Sequence, residues 1–271
     1  EIGVRLVGSE MCIRDRSNTI RKKVNCLKNL EKKDDWTIGI YNDLYDRMLY
    51  YLAMKMLRNR MNHASNSLTD DDRAGIEYLA SKGIIVVSVD GRGTGARGEA
   101  FRKCTYMKMG ILESQDQVEA AQALGELPYI DKNRMSIWGW SFGGYNTLMA
   151  LSVGKGTFKV GIAVAPPTDW KYYDTVYTER YMRTPQENFE GYAETSPLRR
   201  VKDLQGKLLL IHGTADDNVH FMQSLEYAEA LVQAGKQFDM HVYKDRNHGI
   251  SGGNTRYHLY TKMSNYLFDN L

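Results

Sequence analysis

The chain has 271 residues, of which 42% are hydrophobic and 11% aromatic, and this composition can bury one large core in an α/β domain. Its 36 basic and 33 acidic residues leave a net charge of +3, which gives no electrostatic reason to expect a nucleic-acid or anionic-membrane partner. The three cysteines, Cys12, Cys26 and Cys104, follow no paired spacing, which argues against a disulfide framework or a thiolate metal site. No apolar run is as long as a membrane span, and no signal-peptide core follows Glu1.

Two segments precede the regular part of the chain. Residues 1–16 look like a translated sequencing-adapter read joined to the gene, so we exclude this leader from fold reasoning. Residues 17–75 are charged and poor in strand patterning, and we assign them no function. They contain one predicted amphipathic helix, with Leu44, Met48, Tyr51 and Leu52 on one face.

Strand and helix patterns alternate over residues 76–271, which we take as one domain. A buried strand is predicted at 84–89, and further strands are predicted at 135–138, 160–165, 207–211 and 238–243. Helices are predicted at 78–80, 114–124, 143–151, 221–234 and 257–268. This alternation is typical of an α/β fold with a mostly parallel, doubly wound sheet that binds ligands at the carboxyl ends of its strands.

A glycine loop after the first of these strands matches the dinucleotide-binding pattern G-x-G-x-x-G at residues 93–98. That pattern also requires a helix that packs on the sheet and an acidic residue after a second strand. Here the segment 101–108 is basic and no strand follows at the required distance. We therefore expect no cofactor, and interpret the glycines as a tight exit from a buried strand.

The segment Gly139-Trp140-Ser141-Phe142-Gly143 lies between an apolar strand and an apolar helix pattern, which is typical of a nucleophile elbow. A sharp turn of this kind exposes the serine hydroxyl and requires glycine on either side, because a Cβ there would collide with the turn. The helix start adds free N–H groups and a positive dipole where an oxyanion would form. The five-residue pattern also occurs by chance, so the motif needs partners elsewhere in the chain.

Partners of the right chemistry follow two later strands, in the chain order Ser, Asp, His of hydrolase sheets. Asp216 and Asp217 come just after the strand 207–211, and His248 comes after the strand 238–243. All would lie on the same edge of the sheet as Ser141. A base and an acid placed there could remove the serine proton and stabilise the resulting imidazolium.

The remaining histidines fit structural roles better than a catalytic one. His212 lies between an apolar strand and a glycine, and we interpret it as a packed turn residue. The others with surface, core or unassigned roles are His63, His220, His241 and His258. A metal site built from these histidines and the two aspartates is disfavoured, because the chain has no H-E-x-x-H or comparable spacing.

Three longer motifs carry a family resemblance. Residues 140–145, 177–182 and 212–221 read WSFGGY, YTERYM and HGTADDNVHF, and His248 with its following glycine comes after them. Together they resemble the catalytic domain of the dipeptidyl peptidase IV group in the prolyl oligopeptidase family. The resemblance covers the chain from about Ile76 and implies an α/β-hydrolase fold. It implies Ser141 as nucleophile, His248 as general base and then acid, and Asp216 as the partner of His248, with Asp217 structural.

The resemblance also implies a pocket for a proline ring. Its residues would be Phe142, Trp170, Tyr173, Tyr177 and Val219, with Asn218 bonding the substrate backbone and the Phe142 N–H serving the oxyanion. Stacked aromatic rings suit proline, which is rigid and apolar and has no N–H to satisfy. From the residues alone, Trp170, Tyr172 and Tyr173 are better explained as the ordinary packing of a loop.

By resemblance, the expected activity is a serine peptidase that releases N-terminal Xaa-Pro dipeptides through an acyl-enzyme, so the partner is a peptide with proline second. The resemblance further suggests a homodimer and an exported, periplasmic or cell-surface location for the full-length protein. One alternative is an esterase or acylaminoacyl-type hydrolase on the same fold. Another is a catalytically inactive fragment with a binding or dimerisation surface.

The chain departs from the family pattern in two places. No proline precedes Pro128, so the family's tyrosine close before Gly-Pro, which supplies half of its oxyanion hole, has no counterpart upstream of the strand at 84–89. The propeller domain that supplies amine-binding glutamates is also absent from the sequence. We therefore expect a truncated or frame-disrupted product in which residues 17–75 replace the first sheet strands. The strand at Ile84 would then be incompletely paired, which favours aggregation or weak activity.

Overall fold

The computed structural model describes residues 78–95 and 97–271, together with the backbone of residues 37–42. The leader, the predicted amphipathic helix around Met48, and His63 lie outside the described residues. The family-like motifs and every candidate site residue lie inside them.

A six-stranded parallel sheet forms the centre of the described structure. Its strands in chain order are β1 (Thr37–Asn42), β2 (Ile84–Ser88), β3 (Met135–Trp140), β4 (Val160–Val164), β5 (Lys207–Gly213) and β6 (Asp239–Tyr243). They are arranged β2-β1-β3-β4-β5-β6, and each neighbouring pair is parallel. The predicted parallel α/β sheet is therefore confirmed, and all strands end at one edge.

Helices connect these strands. They are α1 (Glu99–Lys103), α2 (Ile111–Gly125), α3 (Phe142–Val153), α4 (Thr175–Met182), α5 (Phe189–Glu194), α6 (Met222–Gln233) and α7 (Thr255–Asn270). Two 3₁₀ helices lie at Trp170–Tyr172 and Pro197–Asp203. The predicted helices at 114–124, 143–151, 221–234 and 257–268 match α2, α3, α6 and α7 to within a few residues, while α1, α4 and α5 were not predicted.

Apolar side chains alternate between the two faces of the sheet, because successive residues of a strand point to opposite sides. On one face, Ile137 of β3 and Leu210 of β5 pack in a cluster that includes Leu148 of α3. On the other face, Trp138 and Leu209 pack with residues of α7. Helices thus cover both faces, which confirms a doubly wound arrangement and leaves the carboxyl edge for the site.

The strand β1 corrects one expectation. The pattern of residues 17–75 predicted no strand, but Thr37–Asn42 pairs with β2 on one side and β3 on the other. The sequence TIGIYN has the β-branched and aromatic residue types that favour strands, but the run is short and lies among charged residues. In the described sheet β2 lies at one end, next to β1.

Among the residues that the structure describes, no helix has the length and apolar character needed to cross a membrane.

Candidate active site

Ser141 lies on a strained turn between β3 and α3. Its backbone has φ 55° and ψ −120°, a conformation that non-glycine residues rarely adopt and that costs on the order of 1–3 kcal/mol. The turn is fixed by a hydrogen bond from the Ser141 N–H to the Val164 carbonyl at 2.8 Å. A Cβ on Gly139 would overlap the backbone of Gly143, and one on Gly144 would lie 2.8 Å from the Val164 oxygen. The predicted need for glycine at the elbow is therefore confirmed at Gly139.

Asp216 and His248 come from different loops and meet at the same edge. The Nδ1 atom of His248 lies 2.7 Å from Oδ2 of Asp216. The Asp216 side chain has no solvent exposure, whereas that of His248 is 23% exposed. A carboxylate only accepts hydrogen bonds, so the Nδ1 atom carries the proton and the Nε2 lone pair of a neutral ring is left for a substrate or nucleophile.

Four donors hold the Asp216 carboxylate. Its Oδ1 accepts the backbone N–H groups of Asn218 at 3.0 Å and Val219 at 2.9 Å. Its Oδ2 lies 3.1 Å from Nε2 of His212 as well as 2.7 Å from His248. Burial alone would raise the pKa of Asp216, but the hydrogen bonds from His212 and His248 outweigh burial and hold that pKa well below its usual range. Asp216 is therefore a fixed negative charge at neutral pH.

The elbow and the histidine loop are joined directly. Trp140, the residue before Ser141, donates its indole N–H to the His248 carbonyl oxygen at 2.9 Å. The guanidinium of Arg256, in α7, lies 5.2 Å from the centre of the Trp140 ring. Thus one side chain ties the turn that carries Ser141 to the backbone that carries His248, although 108 residues separate Trp140 from His248.

The predicted pocket residues also come together. Trp170 is 2% exposed, and its ring centre lies 5.6 Å from Phe142, 6.0 Å from Tyr173 and 6.2 Å from Tyr177. The Tyr173 hydroxyl donates to the Asn218 side-chain oxygen at 2.7 Å, which joins the aromatic group to the Asp216 loop. Val219 is fully buried beside that loop. Trp170 is thus a packed core residue at the centre of an aromatic cluster whose outer rings, Tyr173 and Tyr177, are partly exposed.

Local capping explains why this aromatic segment is helical. The Asp169 side chain accepts the Lys171 N–H at 2.9 Å and starts the first 3₁₀ helix. The Asp174 side chain accepts the Tyr177 N–H at 3.0 Å and starts α4. Such caps satisfy N–H groups that a helix start leaves open, and they orient Tyr173 and Tyr177 next to Trp170.

A cavity of about 630 Å³ adjoins the pocket at Phe142 and Tyr177 and is also lined by Gly93 and Glu113. Burial raises the pKa of Glu113 to about 8, although N–H groups of Glu113 and Gly110 oppose this rise. The glycine loop next to it has positive φ at Gly93 and Gly98, and Gly98 precedes the five-residue α1, which buries none of its residues. A dinucleotide loop needs a helix packed on the sheet, so the structure agrees with the interpretation as a tight strand exit.

In the described part of the chain, no three His, Cys, Asp or Glu side chains are grouped so as to hold a metal ion. Sequence reasoning placed the aspartate and histidine correctly at one edge, but it missed the contact of His212 with Asp216 and that of Trp140 with His248. Both depend on the directions of side chains across the sheet, for which residue spacing gives no signal.

The chain is similar in sequence to known proteins. The family model described as "Prolyl oligopeptidase family" matches residues 71–271. Dipeptidyl peptidase 4 of Felis catus is 48% identical over 194 residues, which are 70% of this chain and 25% of that protein. Prolyl endopeptidase FAP of Mus musculus is 47% identical over 196 residues, 71% of this chain and 26% of that protein.

A solved structure is also similar. The crystal structure of Porphyromonas gingivalis dipeptidyl peptidase 4 shows 51% sequence identity and a TM-score of 0.77. The match covers 90% of this chain and 32% of that one. The chain therefore spans between about a quarter and a third of the length of these relatives.

Proposed function

Since the chain belongs to the prolyl oligopeptidase family, we propose that its residues 76–271 form the catalytic domain of a serine peptidase that releases N-terminal Xaa-Pro dipeptides. The observation that carries this proposal is the hydrogen bond between His248 and the buried Asp216, joined through Trp140 to the strained turn at Ser141. No cofactor is needed for this chemistry.

The proposed reaction begins with proton transfer from the Ser141 hydroxyl to Nε2 of His248. The serine oxygen attacks the carbonyl carbon of the scissile bond, and the negative charge of Asp216 stabilises the imidazolium that forms. His248 then donates its proton to the leaving amine, which yields the acyl-enzyme. Water activated by His248 completes hydrolysis and releases the dipeptide with its free carboxylate.

The start of α3 supports the oxyanion step. Phe142 provides the first N–H of this helix, and the first N–H groups of a helix have no intrahelical acceptor. We assign this N–H as one oxyanion donor. One donor of this kind is worth about 2.7–4 kcal/mol of transition-state stabilisation, so an enzyme limited to it would be slowed by roughly 10²–10³-fold.

The aromatic group gives the proposed selectivity. Phe142, Trp170, Tyr173 and Tyr177 form one aromatic cluster, and such a surface would suit a proline ring, which carries no N–H in need of an acceptor. Asn218 and Val219 would close the side nearest Asp216, with the Asn218 amide available to the substrate backbone. Several relatives carry the name dipeptidyl peptidase 4, which supports a dipeptide product, while another carries the name prolyl endopeptidase, which also refers to proline.

Three substrates test the reaction class: Gly-Pro p-nitroanilide, Gly-Ala p-nitroanilide and p-nitrophenyl acetate. Under the proposal, kcat/KM is highest for the proline amide, and the hydrolysis is lost in Ser141→Ala. Turnover of the ester without the proline amide would instead favour the esterase or acylaminoacyl-type reading. Folded protein that cleaves none of the three would favour the inactive fragment with a binding surface.

The family resemblance also leads us to propose a homodimer and an exported location for the full-length protein. Sedimentation velocity would check the first: a single species near 31.0 kDa, the mass of one chain, would contradict it for this polypeptide.

A further inference from the structure

His212 is a fully buried titratable residue next to Asp216. It lies at the end of β5 with no solvent exposure, and its ring packs edge-on against Phe221 at 5.6 Å. Both ring nitrogens have polar partners. Nε2 lies 2.8 Å from the Val219 carbonyl oxygen and 3.1 Å from Oδ2 of Asp216, and Nδ1 lies 2.7 Å from the Ser224 hydroxyl.

These partners select one tautomer. The Val219 carbonyl and the Asp216 carboxylate can only accept hydrogen bonds, so the proton must be on Nε2, which donates to both. The Ser224 hydroxyl, from α6, can donate to Nδ1 and so satisfies the other nitrogen of a neutral ring. The neutral ring is favoured because it adds no further buried charge.

We propose that His212 is a positioning residue, which locks Asp216 and weakens its pull on the proton of His248. This inference rests on the proposed function, because it concerns the base of the same serine mechanism. Oδ2 of Asp216 accepts hydrogen bonds from both imidazoles, so the two donors share the same negative charge. Without the His212 donor, Oδ2 would have His248 as its one side-chain hydrogen-bond donor.

Several other groups lie near Asp216 and His212. The remaining donors to Asp216 are the backbone N–H groups of Asn218 and Val219, which do not titrate. Titratable groups acting on Asp216 are His212 from β5 and His248 from the loop after β6. Charged or titratable side chains in the adjoining segments are Asp217, His220, Lys244, Asp245, Arg246 and Arg256.

A matched pair of variants tests the proposal through the pH profile of kcat/KM. His212→Met removes the donor and keeps an apolar volume, whereas His212→Gln keeps an N–H at the position of Nε2. Loss of the donor leaves more charge on Asp216, which favours the imidazolium of His248, so the acid limb in His212→Met moves up by about half a pH unit or more. In His212→Gln it stays within about 0.2 of the wild-type value.

A lower kcat in His212→Met with an unmoved acid limb would overturn the proposal, because that result describes a merely structural residue. An equal displacement in both variants would overturn it as well, since the retained N–H would then have no effect.

A second measurement needs no variant and no activity. Two-bond ¹H–¹⁵N correlation spectra of histidine-labelled protein, assigned with His212→Gln, report which ring nitrogen carries the proton. A neutral His212 with the proton on Nε2 supports the proposal, and a proton on Nδ1 alone refutes it. This readout stays decisive if His212→Met does not fold. Absence of any hydrolysis by the wild type would count against the proposed function, whereas a wrong tautomer counts against the positioning role.

Discussion

Asp216→Asn removes the charge at the centre of the proposed site while changing the side-chain shape very little. The carboxylate accepts from two imidazoles on Oδ2 and from two backbone N–H groups on Oδ1. An asparagine has one acceptor oxygen and one donor NH₂, so it can serve only one of these pairs. If the asparagine oxygen keeps its hydrogen bonds to the backbone N–H groups, its NH₂ faces Nδ1 of His248. Nδ1 must then accept a hydrogen bond instead of donating one, so His248 adopts the other tautomer. In that tautomer Nε2 carries the proton and cannot take one from Ser141.

The expected loss follows from that geometry. A wrong histidine tautomer in a serine triad lowers kcat by about 10⁴-fold, which is ~5.4 kcal/mol at 1.36 kcal/mol per tenfold change. If instead the amide turns its oxygen to His248, the N–H groups of Asn218 and Val219 lose their acceptor. Each unpaired buried group costs about 1–3 kcal/mol, which would appear as a lower free energy of unfolding. The variant must therefore lose activity, stability or both.

The assay is kcat for Gly-Pro p-nitroanilide, combined with urea denaturation of the same samples. Asp217→Asn is the matched control, since it makes the same chemical change at the exposed neighbouring residue and should leave kcat within about twofold. If Asp216→Asn retains more than about a tenth of the wild-type kcat at unchanged stability, the assignment of Asp216 as the partner of His248 is refuted.

Two further changes test the surroundings of the site. Gly139→Ala places a Cβ against the backbone of Gly143, so we expect at least a tenfold loss of Gly-Pro p-nitroanilide hydrolysis, and an unchanged rate would contradict the tight elbow. Glu113→Gln tests the buried acid, because burial raises the pKa of Glu113 from its ordinary 4.5 to about 8, so the folded state binds the proton more tightly than the unfolded state does. Stability from Glu113 is therefore present below pH 4.5 and is lost as pH rises to about 8, by up to about 1.4 kcal/mol per pH unit. Relative to wild type, Glu113→Gln should be more stable at pH 9 than at pH 5 in urea denaturation, and a constant difference would contradict the buried acid.

Much of the fold could be predicted from alternation alone. The runs that became β2 to β5 are mostly apolar, because strands inside a parallel sheet are buried on both faces, whereas the edge strand β6 (DMHVY) is mixed and partly exposed. The strand β1 was missed since its six residues lie among charged ones and its identity depends on pairing with β2 and β3. The helices α4 and α5 were missed as well, because they are short and their starts depend on caps by Asp174 and Asn188.

Most residues of the candidate site could be predicted from the sequence, but the role of one of them could not. Ser141, Asp216 and His248 each follow a strand, and parallel strands bring such loops to one edge. The long motifs added the aromatic pocket. The role of His212 could not be predicted, because the same residue between a strand and a glycine fits simple packing. Only the direction of its ring shows that it reaches Asp216.

The central claim is that Ser141 is an activated nucleophile, and a fluorophosphonate probe tests it most directly. Such a probe forms a covalent bond to a serine oxygen only where a base and an oxyanion site activate it. We predict a single adduct that mass spectrometry of proteolytic peptides places on Ser141, and no adduct in Ser141→Ala. Folded protein that remains unlabelled, or an adduct on another residue that persists in Ser141→Ala, would contradict the assignment.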